Sequence, residues 1–562
     1  MYIISVIPLI KIPHPNPQLL SYFCAEKIKI GGLVKIPLRN KKINAIVVEQ
    51  KKVEEQKFRL KKLADYTIKP IDKILSSEPV LTDKQLKLLF WFADYYFAPL
   101  GMVAKIFLSA NSRIKKTRSQ KSRIPALGGS ASGGKIQNLI LTPATKSLVF
   151  APFTNLKSII IEDESSDLYK SWGRRPHYNA RDIALELAKI HKAKLTLRSS
   201  LPSVETCYWA EQKKYKLTIQ NQKSRAKNQK LIDMREEMRK GNFSIISKGL
   251  EEKLRNSKKA ILYIARRGTS TFILCRECGY VSMCKDCELP MVFHEDKPSR
   301  RLVCHHCGKD DIAPVLCPNC KSAKIKYFGA GTQKVESEVK KLFLEKTALR
   351  LDSDIAEKSA QQEKILKYYK EGKNVILVGS QMLLNKNLKS DLAAIISIET
   401  ILNLPDFKSQ ERVFQIINQM QKKAEKEFFL QTYNPENFTL KTALENNFEK
   451  FYNEEIKNRK AFNYPPFSQI IKLTYGHKNP LQAKNQARIL DEKLKTRIRQ
   501  LAITNEQLAM LGPIPAFVLK EKNRYYWNIV LKSRIEDLNL RNKLLIIVPS
   551  DWEIEVDPET LL

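Results

Sequence analysis

The chain has 562 residues, and 98 Lys and Arg against 59 Asp and Glu leave a formal charge of +39 with a pI near 9.7. Single cores stop growing at about 250–300 residues, so several domains are expected, and a hydrophobic content of 43% excludes wholesale disorder. No apolar run approaches the roughly 18 residues of a spanning helix, and Met1 to Ile10 lacks the basic n-region and small-residue cleavage site of a secretory leader, so a cytoplasmic location and no membrane partner are expected.

In chain order, Tyr2 to Ile10, Leu33 to Pro37 and Ala45 to Glu49 read as strands. Thr82 reads as the N-cap of a helix from about Asp83 to Phe97, with apolar positions at Leu86, Leu89, Phe90 and Ala93. Arg113 to Arg123 carries six basic residues and no acid, and Gly128 to Gly134 is a Gly/Ser tract, so 111–138 reads as a basic linker between a domain at 1–110 and the next. Residues 139–235 alternate strand-like and helical patterns, as in Ser158 to Ile161, Ala180 to Lys189 and Ala193 to Leu197, and 213–230 is a second basic stretch with seven cations and no acid. Another α/β unit fills 236–465, interrupted at 270–326 by a cysteine module, and a last one fills 466–562. A positive excess of this size attracts polyanions, which makes nucleic acid the leading partner class; a generally lysine-rich proteome would account for part of it.

Eight of the ten cysteines form four Cys-x-x-Cys pairs: Cys275/Cys278, Cys284/Cys287, Cys304/Cys307 and Cys317/Cys320. Two intervening residues let both sulfurs converge on one tetrahedral cation, so four pairs supply two closed four-cysteine sites, structural Zn²⁺ being the expected occupant of both. A disulfide framework is the alternative, and a reducing cytosol argues against it. His294, His305 and His306 read as bystanders, because eight thiolates saturate two metals. Leu289 to Phe293 and Arg301 to Val303 flank a polar turn at Glu295 to Ser299, which predicts a hairpin.

With these knuckles stand Ile264 to Gly268 with Arg266 and Arg267, Gly329-Ala330-Gly331-Thr332-Gln333, Leu404-Pro405-Asp406-Phe407 with Glu411-Arg412, Gln431-Thr432-Tyr433-Asn434-Pro435, Tyr464-Pro465-Pro466-Phe467, Leu511-Gly512-Pro513-Ile514-Pro515 and Val556-Asp557-Pro558. In this order they resemble the PriA family of replication restart proteins, over most of the chain. The resemblance implies superfamily 2 DNA helicase architecture: a β-rich N-terminal DNA-binding domain at 1–110, RecA-like lobes at 139–235 and 236–465 with the zinc module inserted in the second, and an α/β C-terminal domain. It also implies a nested metal pairing, Cys275/Cys278 with Cys317/Cys320 and Cys284/Cys287 with Cys304/Cys307.

The ATP elements depart from the family pattern. A phosphate-binding loop reads G-x-x-x-x-G-K-[ST], because backbone amides cradle phosphate and the hydroxyl holds Mg²⁺. Gly129 to Lys135 fits seven positions, but Ile136 replaces the hydroxyl, and where a strand must precede and a helix follow, Arg123 to Leu127 is a poor strand and Ile136 to Leu141 a better strand than helix, so the linker reading is preferred. Thr145-Lys146-Ser147 through Phe153 resembles a later helicase segment, so the nucleotide-binding half of lobe one, and the winged helix before it, are expected to be missing. Glu162, Asp163, Glu164 and Ser165 stand where the family shows Asp-Glu-Glu-His, a change in carboxylate reach that shifts the attacking water by about 1 Å at a cost on the order of 10²-fold. Ser199-Ser200-Leu201 replaces Ser-Ala-Thr, and Gly379-Ser380-Gln381-Met382-Leu383-Leu384-Asn385-Lys386 replaces Gly-Thr-Gln-Met-x-x-Lys-Gly. Lys422 and Lys423 stand where two arginines are expected, and lysine cannot reproduce a bidentate arginine finger.

The expected function is therefore that of a nucleoid-associated, PriA-like primosome assembly protein that binds forked or single-stranded DNA and recruits replicative helicase loading proteins, without ATP, Mg²⁺ or ATPase catalysis. An active ATP-dependent 3′ to 5′ helicase and a zinc-ribbon RNA-binding protein are the alternatives. Phosphate contacts are expected at Lys35, Arg39, Lys41 and Lys42, a solvated basic hairpin being the plain alternative. The resemblance places an acid that grips a 3′ nucleotide where this chain has Ser21. It also implies that the acidic tail of single-stranded DNA-binding protein meets Trp91, Tyr95, Arg524 and Asn528; core packing is the alternative for Trp91.

Overall fold

The computed structural model describes residues 1–52, 68–119, 137–171, 176–213, 217–219, 228–265, 271–286, 289–296, 299–305, 307–327, 332–352 and 359–562. At the N-terminus the chain alternates as half-buried strands must: within Leu33–Leu38, Val34 and Ile36 are buried and Lys35 lies on the other face. This strand pairs antiparallel with Lys41–Lys52 and Lys73–Ser76, and Tyr2–Pro8 and Leu20–Cys24 complete a five-stranded sheet. The Thr82 hydroxyl then accepts the Gln85 N–H while the Gln85 side chain accepts the Thr82 N–H, a capping box that starts the helix Asp83–Tyr95.

The following helix, Leu100–Ser119, corrects the linker expected from residue 111. Lys and Arg are good helix formers, and no Gly or Pro occurs between Met102 and Ser119, so the described part of the basic stretch, as far as Ser119, continues as helix. The Gly/Ser tract and the loop-like Gly129 to Ile136 lie outside the described residues, as do Arg266, Arg267 and Gly329 to Gly331.

Two parallel sheets follow. Asn138–Leu141, Ser158–Glu162, Lys194–Ser199 and Leu217–Ile219 pair in that order, and the helix Ala180–His191, capped by Asn179, buries Ile183, Ala184 and Leu187 on them. The same core is continuous with the helices Asp83–Tyr95 and Leu100–Ser119 and with the C-terminal sheet. The second sheet has six strands, ordered Asn228–Asp233, Ala424–Thr432, Ser390–Ser397, Lys259–Ile264, Val375–Gly379 and Thr347–Leu351. Asn228–Asp233 pairs with Ala424–Thr432, so the boundary expected at 235 moves ahead of residue 228. That strand sits at the end of an acid-free stretch, and its partner is remote in sequence, so no local pattern reveals where it belongs.

The cysteine module is inserted between Lys259–Ile264 and the helix Thr332–Leu342. Its expected hairpin forms from Val292–Asp296 and Ser299–Val303, with a tighter turn than the polar run suggested, since Glu295 pairs with Arg300 and Asp296 with Ser299. The C-terminal sheet is antiparallel, ordered Leu508–Glu521, Arg524–Ser533, Gln469–His477 and Glu553–Val556, with the helix Pro480–Gln500 across it. No helix among the described residues is long and apolar enough to cross a membrane.

Candidate zinc module and nucleic-acid interface

Three of the knuckles each fold through their own turn. The N–H groups of Gly279, Gly308 and Lys321 donate to the carbonyls of Cys275, Cys304 and Cys317 at 2.9, 2.8 and 2.8 Å. Gly279 has φ of +79°, and a Cβ there would fall 2.6 Å from the Tyr433 carbonyl oxygen, so the first knuckle can seat on the six-stranded domain only with glycine. A tetrahedral zinc with bonds of 2.3 Å separates its sulfurs by about 3.8 Å. Cys275 and Cys320 are 3.6 Å apart, Cys278 and Cys317 are 3.6 Å apart, and the four sulfurs gather within 4.8 Å, which fits one Zn²⁺. Cys284, Cys304 and Cys307 gather likewise, with 3.7 Å between Cys284 and Cys307; Cys287 lies outside the described residues. His305 is turned away from the sulfurs, its Nδ1 being 3.0 Å from the Pro515 carbonyl and its ring against Phe517. The module thus rests on the C-terminal sheet as well as on Tyr433, and His306 lies outside the described residues.

Lys35, Arg39, Lys41 and Lys42 share one hairpin. Arg39 and Asn40 form its turn, both with positive φ, 43° and 30°. Lys42 is ion-paired to Asp72 at 2.6 Å, whereas Arg39 and Lys41 are exposed. Lys35 stands directly across from Lys73, which the sequence reading missed. Like charges in facing positions are unfavourable unless an anion bridges them, and only the strand register shows that these two meet. Ser21 faces Ser5, whose hydroxyl donates to Glu49 at 3.2 Å.

Trp91 and Tyr95 stack, centroids 4.9 Å apart and planes at 20°. The Tyr95 hydroxyl donates to Asp557 at 2.6 Å, and burial with that carboxylate pushes its pKa well above the phenol value. Arg541 donates to the carbonyls of Asp94 and Tyr95 at 2.6 and 2.8 Å. Arg524 is exposed at a hairpin end and donates to the Gly476 carbonyl at 2.6 Å, while Asn528 is buried and accepts from Thr474 at 2.9 Å. No hydrogen bond, ion pair or ring contact among the described residues joins these two to Trp91 or Tyr95.

Of the acidic run that ends the strand Ser158–Glu162, only Glu164 is turned inward. Glu162 pairs with Arg198 on the neighbouring strand at 2.9 Å. Glu164 is fully buried and accepts from the Ser203 N–H, the Ser203 hydroxyl and the Thr206 hydroxyl at 2.7, 3.1 and 2.8 Å. Asp163, at φ 52°, interacts with Lys422, while Lys423 is buried, donates to the Lys386 carbonyl and is held down at about 8 by desolvation.

Sequence reading missed a buried ionic junction. Arg459, 1% exposed, reaches Glu205 at 3.0 Å, Glu411 at 2.7 Å and Glu455 at 2.8 Å. Lys408 reaches Glu559 at 2.7 Å and Glu205 at 3.5 Å. Burial pushes the Glu205 carboxyl up, but Lys408 and Arg459 outweigh it and hold it at about 2. The junction joins the helix Val204–Glu211, the six-stranded domain and the tail after Glu553–Val556. That tail continues the contact: Asn179 donates to Glu559 at 2.9 Å, Lys170 donates to the Asp557 carbonyl at 2.9 Å, and His177 Nε2 lies 2.8 Å from Glu553. Glu553 raises the His177 pKa above 6.5 despite opposing burial. A raised folded-state value means the stabilisation is fully present below 6.5 and lost as pH rises through the folded value. His177→Gln is therefore expected to flatten the fall in melting temperature between about pH 6 and 8; an unchanged slope would assign that fall to other groups.

Two family models match: the 3′ DNA-binding domain over residues 9–109 and the primosomal protein N C-terminal domain over residues 460–559. Replication restart protein PriA of Borreliella burgdorferi is 31% identical over 461 residues, 79% of this chain and 68% of its own length. The chain belongs to the PriA family. PriA of Bacillus subtilis is 33% identical over 413 residues, 70% of this chain and 50% of its own, and PriA of Synechocystis is 31% identical over 445 residues, 74% and 52%. The chain thus spans about half the length of these two PriA relatives.

Proposed function

We propose that this chain is a motorless replication restart protein: it holds forked or single-stranded DNA, docks single-stranded DNA-binding protein and recruits the proteins that load a replicative helicase, without hydrolysing ATP. In this reading residues 138–219 are the remnant of a first RecA-like lobe and 228–432 a complete second one. The observation that carries it is the four-stranded parallel sheet. Ser158–Glu162 is paired on both sides, by Asn138–Leu141 and Lys194–Ser199, and Thr142-Pro143, Asp163 to Ser166 and Ser200 to Ser203 follow the three strands without a glycine. Side chains at every such turn keep backbone amides from the close approach a phosphate cradle requires. In the six-stranded domain, a Cβ at Gly379 would meet Leu383 at 2.5 Å and the Leu351 carbonyl at 2.9 Å, so protein fills that space.

The hairpin bearing Lys35, Arg39 and Lys41, with Lys73 beside it, supports backbone contact with DNA. Forked DNA is expected to bind without nucleotide, log K falling against log salt with a slope near −5 if six phosphates are neutralised, at about −0.9 each. In the same mixtures no DNA-stimulated phosphate release is expected; a turnover of about 1 s⁻¹ would restore the helicase reading. Tighter binding to RNA than to the matched DNA fork would favour an RNA-binding role instead.

A further inference from the structure

A cleft of about 470 Å³ opens between the cysteine module and the six-stranded domain. Cavities of roughly 300–1,000 Å³ are the usual size for small-ligand sites. The module wall is apolar, with Met283 44% exposed and Leu289 beside it. Opposite stand Phe407, stacked on Tyr464 at 5.2 Å and 13°, and Phe462, 49% exposed at the end of the helix Phe448–Ala461. Asp406 also lines the cleft: it is 6% exposed, its Oδ2 pairs with Arg412, and its Oδ1 has no hydrogen-bond partner among the described residues. A buried carboxylate oxygen left without a donor is unfavourable by the full desolvation cost of that atom. The side-chain amides of Asn434 and Asn458, on the same lining, find no partner among the described residues.

We infer that this cleft takes one unstacked nucleobase of a DNA strand, an inference that rests on the DNA-binding reading above. Phe407 and Tyr464 cover one another and carry Arg459 and Lys532 over their rings, so the half-exposed Phe462 is the ring that offers a stacking face to a base. The two amides can meet a base edge, and Asp406 Oδ1 is an acceptor for an exocyclic amine. An apolar peptide side chain would leave all three polar groups unanswered.

The test uses the full chain and forks whose single-stranded arm either carries bases or is abasic with the same phosphates. The base-bearing arm is expected to bind about tenfold more tightly, as for the loss of one stacked base. Phe462→Ala should bring that ratio close to one while leaving abasic-fork affinity unchanged, and Asn458→Ala, also at an exposed position, should lower the ratio part of the way. Equal binding of both forks by the unaltered chain, or a ratio untouched by Phe462→Ala, overturns the pocket and leaves the DNA-binding reading standing. Failure to bind either fork overturns both.

Discussion

Removing metal with a strong chelator is expected to unfold residues 271–327 while the six-stranded sheet stays folded. The module is too small to stand on its own apolar contacts: its core is Ile273, Met291, Phe293, Leu302 and Ala313 around the buried sulfurs of Cys284 and Cys304. Closed thiolate sites contribute about 10–16 kcal/mol of apparent binding free energy at neutral pH, comparable to or larger than the whole stability of an ordinary domain. Loss of the metals should also release docking contacts of the module, among them Gly279 against Tyr433 and His305 against Pro515. Elemental analysis before chelation should give two zincs per chain, and hydrogen exchange afterwards should rise in the module and along Leu508–Glu521, with Lys259–Ile264 still protected. Clearly fewer than two zincs, or a module that keeps its protection, would contradict the paired-knuckle assignment. Cys278→Ser should reproduce the effect of chelation, while Cys24→Ser, buried in the N-terminal sheet, should not.

Arg459→Ala is expected to be the most damaging single substitution outside the metal sites, at about 3–5 kcal/mol. The cost is that of leaving Glu205, Glu411 and Glu455 buried without their shared cation. It should appear as a fall in the first urea transition midpoint, together with freer proteolysis around the helix Val204–Glu211. Acidification should recover part of the loss, since carboxylates that can protonate no longer repel. For contrast, Lys29→Ala breaks a pair whose partners are both more than half exposed and should change stability by about 1 kcal/mol or less. A loss of that size for Arg459→Ala would show that water enters the junction and that the three domains are not held there.

What could be read from the sequence was local chemistry. The four Cys-x-x-Cys pairs announced themselves because both ligands of a pair lie within one turn, and Thr82 announced its helix because a cap and its apolar stripe are neighbours in sequence. Glu411 and Arg412 were visible only as pieces of a motif; that Glu411 meets Arg459 and the Val204 N–H, and Arg412 the Glu559 backbone, depends on positions tens to hundreds of residues away. The Lys35–Lys73 juxtaposition was hidden for the same reason, since it follows from strand register. Tyr95 shows the opposite failure: an aromatic pair at helical spacing reads equally well as a docking wall or as packing, and its hydroxyl is committed to Asp557. The linker misreading came from composition, because Lys and Arg serve a solvated helix as readily as a coil.

The short strand Glu553–Val556 and the residues just after it bear on how the molecule is made. Asp557 and Glu559 touch the helix Asp83–Tyr95, Lys170, Asn179 and Lys408, groups belonging to three earlier regions of the chain. On the ribosome those regions emerge from several seconds to more than a minute ahead of it, at about 5–20 residues per second. Each can form its own sheet while it waits, but the Tyr95 hydroxyl and the Lys170 ammonium meet their carboxylate and carbonyl partners only once residues 555–557 clear the exit tunnel, and Lys408, already near Glu205, gains its shorter pair with Glu559 then. The mutual placement of the domains is therefore set only after residue 559 has been made, and a nascent chain arrested near residue 550 would carry folded sheets with unsettled relative positions, its Lys170 open to any polyanion nearby.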